Sequence, residues 1–268
     1  MRPKWRGRAF DSQFVAQKIG QCDLFLSLNP WHSPSIDRLL KFLAPALSIG
    51  FFRAFDVALP KDPARHAVDQ AFGVPAHFDA SLRVEDYAFP PRLPARCRPR
   101  VREFLRSVAP GKRILAVHNE SKAEKVWPRE RLNELIDRFL ERHREFSVFV
   151  LDFKKPEAST ERFKDRVIHS PGLPLPYAFT VVGESDLFLG VDSCMLHAAD
   201  LFRIPGVGLF GAARIPFGRR KYKSEQWGFR FARHRHVSEL RGIGYMGVQE
   251  VFVALESLVN ENRGREKG

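Results

Sequence analysis

The feature that most constrains this chain is a regular alternation of short apolar runs and amphipathic segments from about residue 112 onward. We predict strands where β-branched and other apolar residues cluster, at Arg113–His118, Ser147–Asp152, Arg166–His169, Asp186–Val191 and Gly206–Phe210. Strands that alternate with helices are typical of βαβ units, which build a parallel sheet with helices on both faces. This part of the chain is therefore predicted to be a doubly wound α/β domain.

The helix after the first of these strands shows the helical pattern most clearly. We predict that it begins at Pro128, because proline is favoured at the first helical position, where its missing N–H loses no hydrogen bond. One apolar stripe follows along this helix, formed by Leu132, Leu135, Ile136, Phe139 and Leu140. Further helices are predicted at Tyr177–Ser185, at Cys194–Phe202 and along the closing apolar stripe from Val248 to Val259.

The first hundred residues carry weaker signals. Two short apolar runs, Asp23–Leu28 and Leu47–Phe52, are predicted to be strands, with a helix at Ser35–Ala44 between them. A stretch rich in proline and arginine, Pro90–Pro99, is typical of a linker. We place a domain boundary there, which predicts a short N-terminal α/β lobe over residues 1–98 and a C-terminal Rossmann-like lobe over residues 99–268.

Cysteine usage and hydropathy exclude several classes of protein. Cys22, Cys97 and Cys194 are too few and too scattered for a disulfide framework or a zinc knuckle, and they fit a reducing compartment. The basic N-terminus lacks the apolar segment of a signal peptide, and no apolar run reaches the ~18 residues of a membrane span. We therefore expect a cytoplasmic protein.

Positive charge is concentrated in segments of the chain. The formal net charge is +13; residues 92–113 carry eight cations and one acid, and residues 212–241 carry nine cations and two acids. The second segment also contains Trp227, Phe229 and Phe231, so we predict that it is a working surface. Such an excess argues for an anionic partner. Nucleic acid is the less favoured choice, because no RNP, KH or zinc-finger pattern is present.

Two loops follow predicted strands at the edge where open α/β sheets bind ligands. The first, residues 118–128, contains Ser121 and Lys125 and leads into a helix N-terminus, a combination that suits a phosphate. The second, residues 190–200, contains Asp192, and it too leads directly into a helix. Each loop also has a purely structural alternative to ligand binding. The first could be a solvated loop, and the second could supply a helix N-cap.

The second loop also raises a hydrolase hypothesis. Ser193 and His197 are four residues apart, which could pair a nucleophile with a base. The G-x-S-x-G elbow is absent, however, and a base one turn along the same helix does not have the usual geometry. A serine hydrolase is therefore disfavoured.

Together these segments resemble a known family. The segments Lys125-Val-Trp-Pro, Asp192-Ser-Cys-Met-Leu-His-Ala-Ala and Ile204-Pro-Gly-Val-Gly-Leu-Phe-Gly are similar, in order and spacing, to motifs of glycosyltransferase family 9. This family contains the ADP-heptose:lipopolysaccharide heptosyltransferases. The resemblance implies a GT-B-like α/β fold of two Rossmann-like lobes with parallel sheets, here with an incomplete first lobe. It also implies acceptor binding in the first lobe and donor binding in the second.

The resemblance further implies a set of donor-binding residues. Lys125 and Ser121 would contact the diphosphate, and Asp192 would hold hydroxyls of the transferred sugar. The diphosphate would also meet the helix N-terminus at Ser193 and Cys194, with support from His197. No metal and no resident cofactor are implied, because basic side chains and a helix dipole stabilise the leaving group.

The sequence departs from the family pattern at several points. Cys194 replaces a glycine that would allow close approach of a phosphate, and Glu120 adds a negative charge beside the expected diphosphate. The Gly-Asp loop that supplies the family's acidic base has no match before Asp23, so the catalytic base is not identified and the N-terminal lobe is expected to be shortened. Asp11 and Asp23 are the candidates left open.

These observations predict a glycosyltransferase. It would move a heptose or a related sugar from an ADP-sugar to an anionic saccharide or lipid-linked acceptor, such as the lipopolysaccharide core. A peripheral contact with an anionic inner-membrane surface is a further expectation. The alternatives are a sugar-nucleotide-binding protein without turnover and, less favoured, a basic nucleic-acid-binding protein.

Overall fold

The computed structural model describes residues 10–62, 64–151, 160–212 and 224–265. The chain divides into two compact units, Met1–Tyr87 and Ala88–Gly268. The boundary predicted from the sequence lies later, at residue 98. Within the described residues, no helix is both long enough and apolar enough to cross a membrane.

The first unit contains a small parallel sheet. Its elements, in chain order, are α1 (Ser12–Ile19), β1 (Leu24–Leu26), α2 (Pro34–Leu43), β2 (Leu47–Gly50), β3 (Val57–Ala58) and α3 (Ala67–Phe78). The strands follow the order β1-β2-β3. Both predicted strands and the predicted helix are present, although each strand is shorter than predicted. Helices α1 and α3 were not predicted, and α3 contains Gly73 and Pro75, two residues that disfavour a helix.

The second unit is a larger α/β domain. Its elements are α4 (Cys97–Val108), β4 (Arg113–His118), α5 (Arg129–Arg142), β5 (Phe146–Val150), β6 (Val167–His169), α6 (Leu175–Gly183), β7 (Leu187–Val191), α7 (Cys194–Leu201), β8 (Gly206–Gly211), α8 (Ser224–Trp227), β9 (His234–Glu239) and α9 (Val248–Arg265). Six parallel strands pair in the order β6-β5-β4-β7-β8-β9. The prediction of a doubly wound α/β fold is confirmed.

Helices cover both faces of this sheet, and the alternation along β4 shows why. Leu115 and Val117 pack in one buried cluster with α5 and α9. Ile114 and Ala116 point to the other face, into a cluster with α4, α6 and α7. Successive side chains of a strand point to opposite faces, so an uninterrupted apolar strand requires a helical layer on each side.

Two local predictions are corrected by the structure. Pro128 is the N-cap of α5, with an extended ψ of 133°, rather than its first helical residue. The stretch Pro90–Pro99 is not a linker throughout, because α4 begins at Cys97. Pro99 is tolerated in the first turn, where backbone N–H groups have no partner within the helix, and Val101 and Leu105 are buried on one side of α4.

The aromatic residues of the second basic segment were predicted to form a working surface, and this is wrong for Phe229. Only 3% of Phe229 is exposed, and its ring stacks on His234 with the ring centroids 5.7 Å apart. The ring of Phe231 is covered by the guanidinium groups of Arg203 and Arg230. Residues 213–223 of this segment lie outside the described residues.

A buried carboxylate holds the chain that leads into β9. Asp200, at the end of α7, is 4% exposed. Its carboxylate accepts hydrogen bonds from the backbone N–H groups of Arg230, Phe231 and Ala232, at 3.0, 2.7 and 2.7 Å. Removing this carboxylate from water costs desolvation free energy, which the three hydrogen bonds to the ionised carboxylate offset.

We predict that Asp200→Ala lowers the free energy of unfolding by about 3 kcal/mol or more, because three backbone N–H groups lose a charged acceptor. Asp200→Asn, which keeps one acceptor oxygen, should lose less. Urea denaturation measures both, with the exposed Glu161→Ala as the control. An Asp200→Ala protein as stable as the control would show that this carboxylate does not hold the segment.

Candidate functional site

The strand order reverses direction between β4 and β7. From β4 the chain continues through β5 to β6 on one side, and from β7 it continues through β8 to β9 on the other. The two strands are parallel neighbours, with His118 opposite Gly190 at their carboxyl ends. Such a reversal opens a crevice beyond the carboxyl ends of the strands, where open α/β sheets bind ligands. Both predicted site loops leave from this point.

The loop after β4 is closed by Asn119. Its side-chain amide donates a hydrogen bond to the carbonyl of Trp127 at 2.8 Å, and its carbonyl oxygen accepts from the backbone N–H of Trp127 at 3.0 Å. Trp127 is fully buried, and its indole N–H donates to the carbonyl of Met246 at 3.3 Å. Asn119 was not predicted as a site residue; its place directly after the strand and eight residues before a tryptophan was the available signal.

The loop after β7 meets the first loop through Asp192. The ammonium of Lys125 lies 2.5 Å from the Asp192 carboxylate, and the hydroxyl of Ser121 donates to the Asp192 backbone carbonyl at 3.0 Å. The Lys125 side chain is 30% exposed and the Asp192 side chain 14%, so the ion pair is partly shielded from water. Three of the predicted residues, from loops 67 or more positions apart, are therefore in contact.

Helix α7 begins at Cys194, two residues after Asp192. Ser193 is the N-cap, yet its side chain makes no capping hydrogen bond. Its hydroxyl oxygen is buried and has no hydrogen-bond partner among the described residues. Asp192 precedes the N-cap, and its carboxylate is engaged by Lys125. The crevice thus holds a buried hydroxyl whose hydrogen-bonding capacity the surrounding protein leaves unused.

Cys194, the first residue of α7, is an exposed residue with a free thiol. Partial burial of its sulfur raises the pKa of this thiol, while the backbone N–H groups of Cys194 and Met195 act to lower it. Those N–H groups belong to the first turn of α7, where no carbonyl within the helix can accept from them. The sulfur therefore lies beside donors that can bind an anion.

His197 lies one turn further along α7. Its ring packs beside Trp227, with the ring centroids 6.4 Å apart. Since the Ser193 hydroxyl has no hydrogen-bond partner in the described part of the chain, His197 does not activate it as a nucleophile. This geometry argues against the serine-hydrolase hypothesis.

The acidic residues considered as a catalytic base belong to the first unit. The Asp11 carboxylate caps α1, accepting from the backbone N–H groups of Gln13 and Phe14 at 3.1 and 3.0 Å. Asp23 precedes β1, and its carbonyl accepts from the backbone N–H of Leu47. In the described ranges, no group of three or more His, Cys, Asp or Glu side chains is arranged to hold a metal ion.

Comparison with known families matches residues 39–235 to glycosyltransferase family 9 (heptosyltransferase). This chain belongs to that family. The matched range includes both loops at the crevice between β4 and β7 where the strand order reverses, which we call the switch-point crevice. It also includes parts of both compact units. Comparison with curated protein sequences found no significant match.

Solved structures share the fold of this family 9 protein. The glycosyl transferase family 9 protein from Veillonella parvula DSM 2008 superposes with a TM-score of 0.68 at 18% identity, covering 97% of this chain and 81% of that one. ADP-heptose lps heptosyltransferase II from E. coli gives 0.62 at 14%, covering 94% and 80%. E. coli heptosyltransferase WaaC with ADP gives 0.62 at 13%, covering 92% and 77%. At these identities the similarity establishes the GT-B-like fold.

We predict that Asn119→Ala lowers the free energy of unfolding by about 2–4 kcal/mol, because the N–H and C=O of the buried Trp127 both lose their partner. Ser121→Ala is the matched control in the same loop; it removes an exposed hydroxyl and should change stability by less than about 0.5 kcal/mol. Urea denaturation compares the two. Equal stability of both variants would mean that Asn119 does not close the loop.

Proposed function

We propose that this protein binds a nucleotide-diphosphate sugar in the switch-point crevice and transfers the sugar, a heptose or a relative of it, to an anionic saccharide acceptor. The observation that carries the proposal is the contact between Lys125 and Asp192 across the two loops. It brings a cation for a diphosphate and a carboxylate for sugar hydroxyls to the edge of the sheet where ligands bind.

The transfer reaction needs charge neutralisation at the leaving group. The bond between the anomeric carbon of the sugar and the diphosphate oxygen breaks, and the acceptor hydroxyl oxygen forms the new glycosidic bond. The nucleoside diphosphate leaves with the bonding electrons, and the acceptor proton passes to a base that is not identified. Lys125 and the N–H groups at the start of α7 would stabilise the developing negative charge, since donors fixed in advance need no reorganisation.

The ion pair also suggests how the site changes when the donor binds. In the structure, Asp192 neutralises Lys125 at 2.5 Å. A diphosphate carries more negative charge than a single carboxylate, so it would attract the ammonium and release Asp192. The freed carboxylate would then accept hydrogen bonds from sugar hydroxyls. The unused hydroxyl of Ser193 would donate to the same diphosphate, and His197 would support this arrangement from the next turn of α7.

We propose ADP-heptose as the donor. Two of the solved structures with this fold are E. coli heptosyltransferases, one with ADP and one named for ADP-heptose and lps. The net charge of +13 supports an anionic acceptor, such as a phosphorylated or lipid-linked saccharide. In this proposal the acceptor binds residues 1–98, the protein is cytoplasmic, and it contacts an anionic membrane surface peripherally.

A second candidate function is donor binding without turnover. The observation that favours it is the position of Asp11, whose carboxylate is engaged in capping α1. A nucleic-acid-binding role has less support, because Phe229 of the second basic segment is buried and offers no surface for stacking on bases.

We predict that Lys125→Ala weakens ADP binding by about 1–3 kcal/mol, which is roughly 5- to 150-fold, through loss of a charge-assisted hydrogen bond. The variant should stay folded, which its melting curve checks. Lys122→Ala, an exposed lysine of the same loop, is the matched control and should bind ADP as the wild type does. Isothermal titration calorimetry measures the affinities. Equal ADP affinity in all three proteins would show that Lys125 does not contribute to ADP binding and is a solvated loop lysine.

We predict that Asp192→Asn abolishes sugar transfer from ADP-heptose while the protein stays folded, because an amide keeps the shape but loses the charge that orders the sugar hydroxyls. Glu124→Gln, a carboxylate of the neighbouring loop, is the control and should leave transfer unchanged. Normal transfer by Asp192→Asn would contradict the assigned role. Wild-type protein that binds ADP-heptose without transferring it would instead support the non-catalytic alternative.

A further inference from the structure

The opposite edge of the six-stranded sheet is lined by cations. Lys112 lies directly before β4, Arg144 lies two residues before β5, and Arg166 lies directly before β6. These three strands are parallel neighbours, so their amino ends meet at one edge. A strand of five residues is roughly 16 Å long, which separates this edge from the switch-point crevice at the carboxyl ends.

A cavity of about 400 Å³ lies at this edge. Its polar lining is formed by Lys112, Glu141, Arg144, Arg162 and Arg166. Pockets of this size hold small ligands or the head group of a larger one. Four cations against one carboxylate give the cavity an excess of positive charge.

The pairing inside the cavity leaves most of that charge uncompensated. Glu141 is engaged by Arg162 at 2.5 Å. Lys112 donates to the backbone carbonyl of Arg144 at 2.8 Å, which supplies no negative charge. Among the residues that the structure describes, neither Lys112, Arg144 nor Arg166 forms an ion pair with a carboxylate.

Arg166 is held in place but not saturated. One terminal nitrogen of its guanidinium donates to the carbonyls of Leu140 and His143, at 2.5 and 3.4 Å, at the end of α5. Its Nε is buried and has no hydrogen-bond partner in the described ranges. The ring of Phe163 packs against the guanidinium groups of both Arg162 and Arg166, 5.0 and 5.1 Å from its centroid. Arg162 and Arg166 are thus positioned before any ligand arrives.

Neighbouring charges shift the pKa of Arg166 in both directions. Burial lowers the pKa of the Arg166 guanidinium; Asp165 and Glu145 oppose this, and the like charge of Arg144 lowers the pKa further. Glu145 is itself engaged by Arg263. Asp165 and Glu145 thus compensate part of the Arg166 charge, while the like charge of Arg144 acts against it. A bound anion would relieve the repulsion between the two arginines.

An adjacent cavity of about 960 Å³ provides a contrast. Arg98 and Arg102 line it, but both bind the carboxylate of Glu184, at 2.6 and 2.5 Å. Asp186 in the same lining lies 3.4 Å from Arg113. Because Glu184 already compensates Arg98 and Arg102, these two arginines are less available to an anion than the cations of the smaller cavity are.

We propose that the cavity formed by Lys112, Arg144 and Arg166 is a second anion site, which binds a phosphate monoester group remote from the switch-point crevice. Guanidinium groups match the geometry of phosphate oxygens, and a lysine ammonium adds a point charge. A phosphate monoester carries close to two negative charges at neutral pH, which Lys112, Arg144 and Arg166 together can balance. The same chemistry is found in a dissolved phosphate and in the head group of a lipid.

The test uses two probes and two variants, one of an arginine and one of a lysine. Inorganic phosphate is titrated calorimetrically, and vesicles of phosphatidylcholine with or without phosphatidic acid are used for co-sedimentation. Arg144→Ala removes an exposed cation of the cavity without touching the core. Lys164→Ala removes an exposed cation from the neighbouring turn, outside the cavity lining, and serves as the matched control.

We expect Arg144→Ala to weaken binding by about tenfold, the loss of one charge-assisted contact, while Lys164→Ala binds as the wild type does. An effect seen with inorganic phosphate supports a dissolved ligand. An effect confined to phosphatidic acid vesicles supports a lipid head group. Binding of both probes that is unchanged by Arg144→Ala, or no binding of either probe by the wild type, overturns the proposal. Melting temperatures confirm that the variants are folded.

Discussion

The functional architecture depends on the parallel pairing of β4 with β7. These strands are separated by more than sixty residues, yet they lie at the centre of the six-stranded sheet and mark the point where the strand order reverses. The reversal brings the loops at residues 119–127 and 192–194 to one crevice. Without this pairing, Lys125 and Asp192 would be unrelated surface charges. With it, they form a partly buried ion pair beside the first turn of α7.

Much of the second unit could be predicted from local patterns in the sequence. Strands such as Arg113–His118 are uninterrupted apolar runs, because helices cover both faces of the sheet. The site loops could be predicted as well, since they follow such strands and lead into helices. Family motifs then assigned roles to Ser121, Lys125 and Asp192, and the fold brings these three residues into contact. Their roles in binding a donor stay predictions.

Other features could not be read from local patterns, for physical reasons. Helix α4 is hidden because arginines and Pro99 surround the few apolar positions that it buries. The burial of Phe229 depends on partners that are distant in the sequence. Asp200 binds the backbone of Phe231 and Ala232, which follow Phe229, and the ring of Phe188 on β7 packs edge-on against the Phe229 ring. Asn119 acts through the backbone of Trp127, a contact that only the closed loop creates.

The two edges of the sheet differ in how charge is handled. At the carboxyl edge, Asp192 compensates the lysine that we assign to the diphosphate, so the site is balanced before a donor arrives. At the amino edge, Lys112 and Arg144 have no carboxylate partner among the described residues. A protein with an excess of basic residues can in this way keep separate sites for separate anions, one exchangeable and one permanently electropositive.

The central claim is that Lys125 and Asp192 act as one unit in the donor site. A double-mutant cycle on the ADP dissociation constant tests it directly, with Lys125→Ala, Asp192→Ala and the double variant. Competition by Asp192 for the ammonium predicts that Lys125→Ala weakens ADP binding more in the Asp192→Ala background than in the wild type, with a coupling of at least about 0.5 kcal/mol. Effects that add within about 0.3 kcal/mol would contradict the account, because independent residues behave in that way.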